Sequence, residues 1–215
     1  MFVTRHNSVV ERGLLERLWE LYELAYRRTA EESASREMFF RSEFDAAIAD
    51  STNRLWVLWA DDEPVAMVLI ATEIGATRYL SQPFFDRHFT DHARRGAVHY
   101  ILFVVVHPRY AAKGALTRMA RDVLGTEAAE GVLLVFDAPE INQPRDEGGV
   151  ALMMERLANM VANGAPLVPL DVSRYFCIDF AATSAYVEAP QTKTAKVERP
   201  SNVPANAPAN VRDRR

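Results

Sequence analysis

Hydrophobic positions first recur at helical spacing near the start of the chain, where Val10, Leu14, Leu18, Leu21, Tyr22 and Ala25 fall on one face. Ser8-Val9-Val10-Glu11 ahead of them reads as a capping box, in which the Ser8 hydroxyl and the Glu11 carboxylate take up amides that a first turn leaves free. A second helix is expected over residues 35–50, with Phe40, Phe44 and Ile48 spaced by four on its apolar face. The polar hinge between the two, residues 27–36, is placed to frame a ligand entrance. Residues 55–59 and 65–70 are β-rich runs around the turn Ala60-Asp61-Asp62-Glu63-Pro64 and predict a hairpin. Residues 73–97 form a less regular insert with a short helix through Phe84, Phe85 and Phe89. A strong strand over 99–106 is ended by Pro108, which has no amide hydrogen to continue sheet pairing. After a loop, Leu116, Met119, Ala120 and Val123 predict a helix that stops near Gly125.

Residues 132–136 are continuously apolar, as expected of a strand buried on both faces. A loop over 137–149 leads to a helix bearing Val150, Met153, Met154, Leu157, Met160 and Val161, closed by Asn163-Gly164. Residues 167–180, interrupted by Pro169 and Asp171, predict one or two final strands. The order α-α-β-β-β-α-β-α-β(-β) is that of an α/β mixed sheet with helices on both faces.

Composition adds boundaries to this pattern. The chain's 215 residues suit one substantial domain, expected over 1–187, and 49% hydrophobic with 25% charged residues is an ordinary globular balance. Residues 188–215 have four prolines, no aromatic residue and no periodicity, so they are expected to be a disordered tail. From Ala189 onward the tail carries a charge of +4, which leaves −8 on the remainder of a chain whose net charge is −4. An acidic body speaks against nucleic acid as the main partner, because phosphate contacts need clustered Lys and Arg. Arg5, Glu11, Arg12, Glu16 and Arg17 leave no room for a secretory apolar region, and the longest apolar run, residues 100–106, is too short to span a bilayer. A cytoplasmic protein without a membrane partner is expected. The lone Cys177 excludes a disulfide framework and reads as a small buried hydrophobe.

The joint VVVHPRYAAKGALTRMARDVLG, residues 104–125, is where chemistry enters. A loop running into a helix presents unpaired backbone N–H groups, and the helix dipole adds partial positive charge, so an anion can sit there. Gly114 allows the backbone to approach such an anion closely. The element order and the run Val106-His107-Pro108-Arg109-Tyr110, followed by Ala111-Ala112-Lys113-Gly114-Ala115-Leu116, resemble the GNAT superfamily of acyl-CoA-dependent N-acyltransferases. Ala111 stands where that family has Arg or Gln, and Leu116 where it has Gly or Ala, so Leu116 is expected to crowd the loop.

The resemblance implies a central, mostly antiparallel sheet with a splayed pair of parallel strands. It implies acetyl-CoA or another acyl-CoA as cosubstrate and an amine as acceptor. The amides of Lys113, Gly114, Ala115, Leu116 and Thr117 would hold pyrophosphate, Val104 and Val106 would line the pantetheine arm, and Asn142 would reach the cofactor. The family's base is commonly a Glu on the fourth strand, near where this chain has His99 and Tyr100; His99 can serve chemically, and Glu73 is a further candidate base. The function implied is transfer of an acetyl or other acyl group from CoA to a primary amine of a small molecule or protein. A non-catalytic acyl-CoA-binding or protein-interaction module of the same fold is the alternative. His88 and His92 stand four apart but lack a third ligand, so no metal is expected. The insert's aromatic residues Tyr79, Phe84, Phe85 and Phe89 suit an acceptor lid, a satellite core or a homodimer contact.

Overall fold

The computed structural model describes residues 1–33, 38–139 and 149–172. They belong to a compact unit that spans Met1–Tyr175; the second unit, Phe176–Arg215, lies outside them, as do Cys177 and the expected tail. The elements run β1 (Phe2–His6), α1 (Arg12–Glu32), α2 (Arg41–Ala49), β2 (Asn53–Ala60), β3 (Glu63–Ala71), α3 (Gln82–His88), α4 (Thr90–Arg94), β4 (Val98–Val106), α5 (Pro108–Ala111), α6 (Ala115–Ala129), β5 (Leu133–Val135) and α7 (Gly149–Asn159). Among the described residues five strands lie in the order β1-β2-β3-β4-β5, antiparallel except for the parallel pair β4–β5. The expected mixed sheet is therefore present, with one strand at the amino terminus that the apolar pattern did not show.

Each face of the sheet has its own core. Leu55, Val57, Met67, Leu69, Phe103 and Val105 pack against Leu18, Leu21 and Tyr22 of α1 and Phe44 and Ile48 of α2. Leu58, Ala66, Val68, Ile70 and Ile101 pack on the other face against Ala115, Met119 and Val123 of α6. Ile74, Phe85, Val98, Tyr100 and Val135 form a third cluster at one end, so Phe85 of the insert is satellite core, with Phe89 beside it.

Several local expectations change. Ser8 does not cap α1: its hydroxyl donates to the Ala49 carbonyl, while Glu11 itself accepts from the amides of Gly13 and Leu14 at 2.8 and 2.6 Å. Those amides hold the Glu11 carboxyl below its usual range. Val10, placed on the apolar face by spacing, precedes the helix and is 82% exposed. Phe40 is likewise the residue before α2 and is 63% exposed, because that helix begins at Arg41. The helix expected to stop at Gly125 continues through it to Ala129. The last helix ends at Asn159, whose side chain accepts from the Gly164 amide at 2.8 Å. No strand forms over the described part of 167–180, and residues 173–180 lie outside the described set.

The β2–β3 turn is as tight as its sequence allows. Ala60 pairs with Glu63, and Asp61 and Asp62 have φ of 49° and 64°, the doubly left-handed geometry of a type I′ turn. Glycine is favoured at the second of these positions, so Asp62→Gly is expected to stabilise the protein by about 0.5–1 kcal/mol. The check is the midpoint of urea unfolding, which should rise without a change in slope.

Candidate functional site

The arrangement of β4 creates the site. Leu69 of β3 pairs with Phe103 and Ile70 with Ile101, which leaves Leu102 as an extra residue on β4. Such a bulge bends its strand and interrupts the ladder. On the other side, β5 pairs with β4 only at Val98–Leu133, His99–Leu134 and Tyr100–Val135. Beyond Tyr100 the two parallel strands part, and the backbone of β4 from Ile101 onward has no β5 partner.

A cavity of about 470 Å³ occupies the gap. Val104, Val106, Leu116, Met119 and Met154 wall it on the α6 and α7 side, and Tyr26, Phe39, Tyr79, Tyr100 and Phe103 on the α1 side. The cavity thus opens to both faces of the sheet through the split between the strands. Its size lies within the ordinary range of small-molecule sites. The expected hinge over 27–36 contributes only Thr29 among its described residues, which is part of α1 rather than a loop.

At the floor of the split, the Tyr100 hydroxyl donates to Asp137 Oδ1 at 2.5 Å. Asp137 follows β5 at the point where that strand leaves the sheet, and it is the only charged side chain among the described lining residues. In the sequence it has no paired carboxylate at a telling spacing. Its partner Tyr100 is 37 residues away in sequence, and only the parallel pairing brings them together.

The β4–α6 joint is more ordered than a loop. Pro108–Ala111 forms one helical turn, with the His107 ring accepting from the Arg109 amide at 3.1 Å. Gly114 then turns left-handed, with φ of 74°, and α6 begins at Ala115 without a side-chain cap. A Cβ at Gly114 would meet nothing within 4 Å, so the approach to the helix end is open. The Arg118 amide donates back to the Gly114 carbonyl, so Ala115, Leu116 and Thr117 carry the first-turn amides that lack an intrahelical acceptor. The Lys113 amide donates to the Tyr110 carbonyl at 3.0 Å, while its ammonium lies 4.7 Å from the Tyr110 ring centre. Ala115 is buried in the core, and Thr117 is exposed. Leu116 does not crowd the joint: it packs with Met153, Met154 and Leu157 of α7 and forms part of the cavity wall.

The other expected site residues lie elsewhere. His99 points to the α6 side, opposite Tyr100, and Nδ1 is 2.5 Å from Glu127 Oε2; both side chains are almost fully buried. Glu127 Oε1 accepts from Arg54 at 3.1 Å, and Arg54 also donates to Glu130 at 2.8 Å. Burial works against the Arg54 charge, but the two glutamates outweigh it and hold the guanidinium above its usual range. His99 and the exposed Glu73 line a separate cleft of about 380 Å³ with Arg54, Arg95 and Glu130, and none of its lining residues is shared with the cavity at the strand split. Asn142 lies outside the described residues. Among the described residues no group of three His, Cys, Asp or Glu side chains could hold a metal ion, and no helix is long and apolar enough to cross a membrane.

Comparison with known proteins gives one sequence-level match. The model of the family described as "Acetyltransferase (GNAT) family" matches residues 15–143, which include the strand split and the β4–α6 joint. No curated protein matches the chain. Among solved structures, the chain resembles an aminoglycoside acetyltransferase, meta-AAC0020, from an uncultured soil metagenomic sample, at 11% identity and TM-score 0.47, covering 82% of this chain and 95% of that one. It also resembles the ribosomal-protein-S18-alanine N-acetyltransferase from Escherichia coli, at 12% identity and TM-score 0.45, covering 72% and 76%. Tetrahymena GCN5 is similar at 10% identity and TM-score 0.44, covering 66% and 72%.

Proposed function

The chain belongs to the acetyltransferase (GNAT) family, and from that premise we propose that it transfers an acyl group, most simply acetyl, from CoA to a primary amine. The observation that carries this reading is the split between β4 and β5, because it joins the two faces of the sheet through one cavity. A thioester entering from the α6 side and an amine entering from the α1 side can meet there without either leaving its own pocket. Holding two reactants in such register removes much of the entropic barrier to a bimolecular step.

The α6 side has the features an acyl-CoA needs. The unpaired β4 backbone beyond Tyr100 can hydrogen-bond an extended amide-bearing arm, as a neighbouring strand would, with Val104 and Val106 supplying apolar contact. The pyrophosphate is assigned to the amides of Gly114, Ala115, Leu116 and Thr117 at the positive end of α6. Lys113 contributes its ammonium there, since its amide is already engaged by Tyr110.

In the reaction, the amine nitrogen attacks the thioester carbon, a C–N bond forms as the C–S bond breaks, and the departing sulfur takes up a proton. The Tyr100 hydroxyl lies in the cavity and supplies that proton; the proton lost by the attacking nitrogen restores the hydroxyl through solvent. His99 and Glu73 take no part, because neither lines the cavity where the reactants meet.

Calorimetric binding of acetyl-CoA, followed by release of free CoA with a panel of amines, tests the reading. Absence of acetyl-CoA binding refutes it; binding without CoA release with any amine supports a non-catalytic acyl-CoA-binding module instead. Gly114→Trp should weaken acetyl-CoA binding on the order of tenfold, which is ~1.4 kcal/mol. The left-handed backbone there adds about 1–2 kcal/mol of strain, so a melting curve without ligand is needed to confirm that the variant is folded.

A further inference from the structure

The α1 side of the cavity has a composition of its own. Five aromatic side chains, Tyr26, Phe39, Tyr79, Tyr100 and Phe103, line it. Phe39 and Tyr79 stack with ring centres 6.3 Å apart and only 3° between their planes, and Tyr79 lies 5.8 Å from Tyr100. Phe39 also meets the Phe103 ring edge-on at 6.0 Å, so this wall is anchored in the core under α1 rather than carried on the insert alone. Behind Tyr79, the Arg78 guanidinium lies 5.1 Å from the ring centre and donates to Glu43 at 3.2 Å, so that cation is neutralised outside the cavity. Tyr79 and then Glu43 hold Arg78 above its usual range.

Among the described lining residues one charge, Asp137, stands against these rings. One of its carboxylate oxygens already accepts from Tyr100, which fixes the group's orientation at the floor of the split. A wall with several carboxylates would match a polyamine or polyaminated sugar; the one carboxylate among five rings on the described wall matches a single ammonium on an apolar, planar body. Aromatic faces add to this match, because they attract both flat rings and cations.

We infer that the acceptor is a monoamine borne on an aromatic or flat apolar group through a short linker, and that Asp137 binds its ammonium while Phe39 and Tyr79 hold its body. The inference rests on the acyl-transfer reading for the site's purpose, but its recognition chemistry is independent of turnover. Thr29, at the rim of the same wall, offers one hydroxyl for a polar substituent on the body. Ammonium binding next to the Tyr100 hydroxyl also places the nitrogen at the split, where the thioester carbon must arrive; the bound ammonium first gives one proton to solvent, and the neutral amine, its lone pair free, attacks.

The test measures amine affinity by calorimetry on the full chain saturated with CoA, so that no product forms. Probes are 2-phenylethylamine and tryptamine against spermidine and kanamycin. The arylalkylamines should bind at least about tenfold more tightly, and Asp137→Asn should weaken their binding on the order of tenfold while leaving CoA affinity unchanged. Tyr79→Ala should weaken tryptamine more than it weakens n-butylamine, a difference that simple loss of folding would not produce. Tighter binding of spermidine or kanamycin, binding of none of the amines, or no response to Asp137→Asn overturns the inference. A parallel assay of CoA release separates the two readings: arylalkylamine binding without release under acetyl-CoA refutes transfer alone, and release with a polyamine preference refutes the acceptor assignment alone.

Discussion

Glu127→Ala is expected to destabilise the protein by about 3–5 kcal/mol, the cost of removing one partner from a buried ionic network. Glu127 is 2% exposed, lies in the last turn of α6, and holds His99 and Arg54 at once. Its removal leaves the buried His99 ring without its partner and leaves Arg54 with Glu130 alone on the cleft side. The measurement is urea unfolding, where the midpoint should fall with little change in slope. In a domain of this size the melting temperature should drop on the order of 10 °C. The paired replacement His99→Leu with Glu127→Leu should recover much of the loss, because exchanging both partners of a buried hydrogen bond for apolar side chains can be nearly neutral. A Glu127→Ala variant as stable as the parent would show that the network is solvated and contributes little.

The same network decides what His99 is for. His99→Gln should lower the unfolding midpoint and leave kcat of the folded protein near that of the parent, whereas a general base would show the reverse. The network also joins α6 to β2 and to the first residues of β4, immediately before the point where β5 parts from the sheet. The split therefore begins just beyond the point where this network ties the three elements together.

Much of this architecture can be read from the apolar pattern, and the exceptions have physical causes. Residues buried on both faces, such as those of β3 and β4, give long apolar runs that leave little choice of element. β1 escaped because it is an edge strand with no fully buried side chain. It is held by cross-strand pairs: Phe2 against Trp59 at 6.4 Å, Arg5 over Trp56 at 5.8 Å, and the Trp59 indole donating to Thr4 at 2.7 Å. The end of α6 escaped for a different reason. Gly125 reads as a stop and Glu127 as surface, yet Glu127 follows Val123 by four and continues the buried face as a charge whose partners are 28 and 73 residues away. No periodicity shows a partner at that separation.

The candidate site divides in the same manner. Gly114, Val104 and Val106 stand out in the sequence because what marks them is local: a left-handed turn at the glycine and one face of one strand at the valines. The separation of Tyr100 from His99 follows from strand alternation, which sends neighbours to opposite faces, but which face holds the cavity depends on where β5 departs. The Leu102 bulge reverses the alternation after Tyr100, and nothing in the string HYILFVVV marks it. Asp137 became visible only with the Tyr100 contact.

Tyr100→Phe is expected to lower kcat by about a hundredfold or more, within the span that a positioned proton donor contributes. The hydroxyl is the only part removed. The ring packs with Ile74, Phe85, Val98 and Val135, and phenylalanine keeps that packing, so stability should change little. Acetyl-CoA affinity should also hold, since the cofactor contacts are assigned to β4 beyond Tyr100 and to the start of α6. Asp137 loses its donor in this variant, and its carboxylate becomes freer to take a bound ammonium, so KM for the amine should stay level or fall while kcat collapses. That divergence distinguishes proton donation from positioning, because a hydroxyl that merely oriented Asp137 would raise KM on removal. A drop in kcat of less than about threefold would mean that the thiolate leaves without help from this residue, a step that a good leaving group can take unaided.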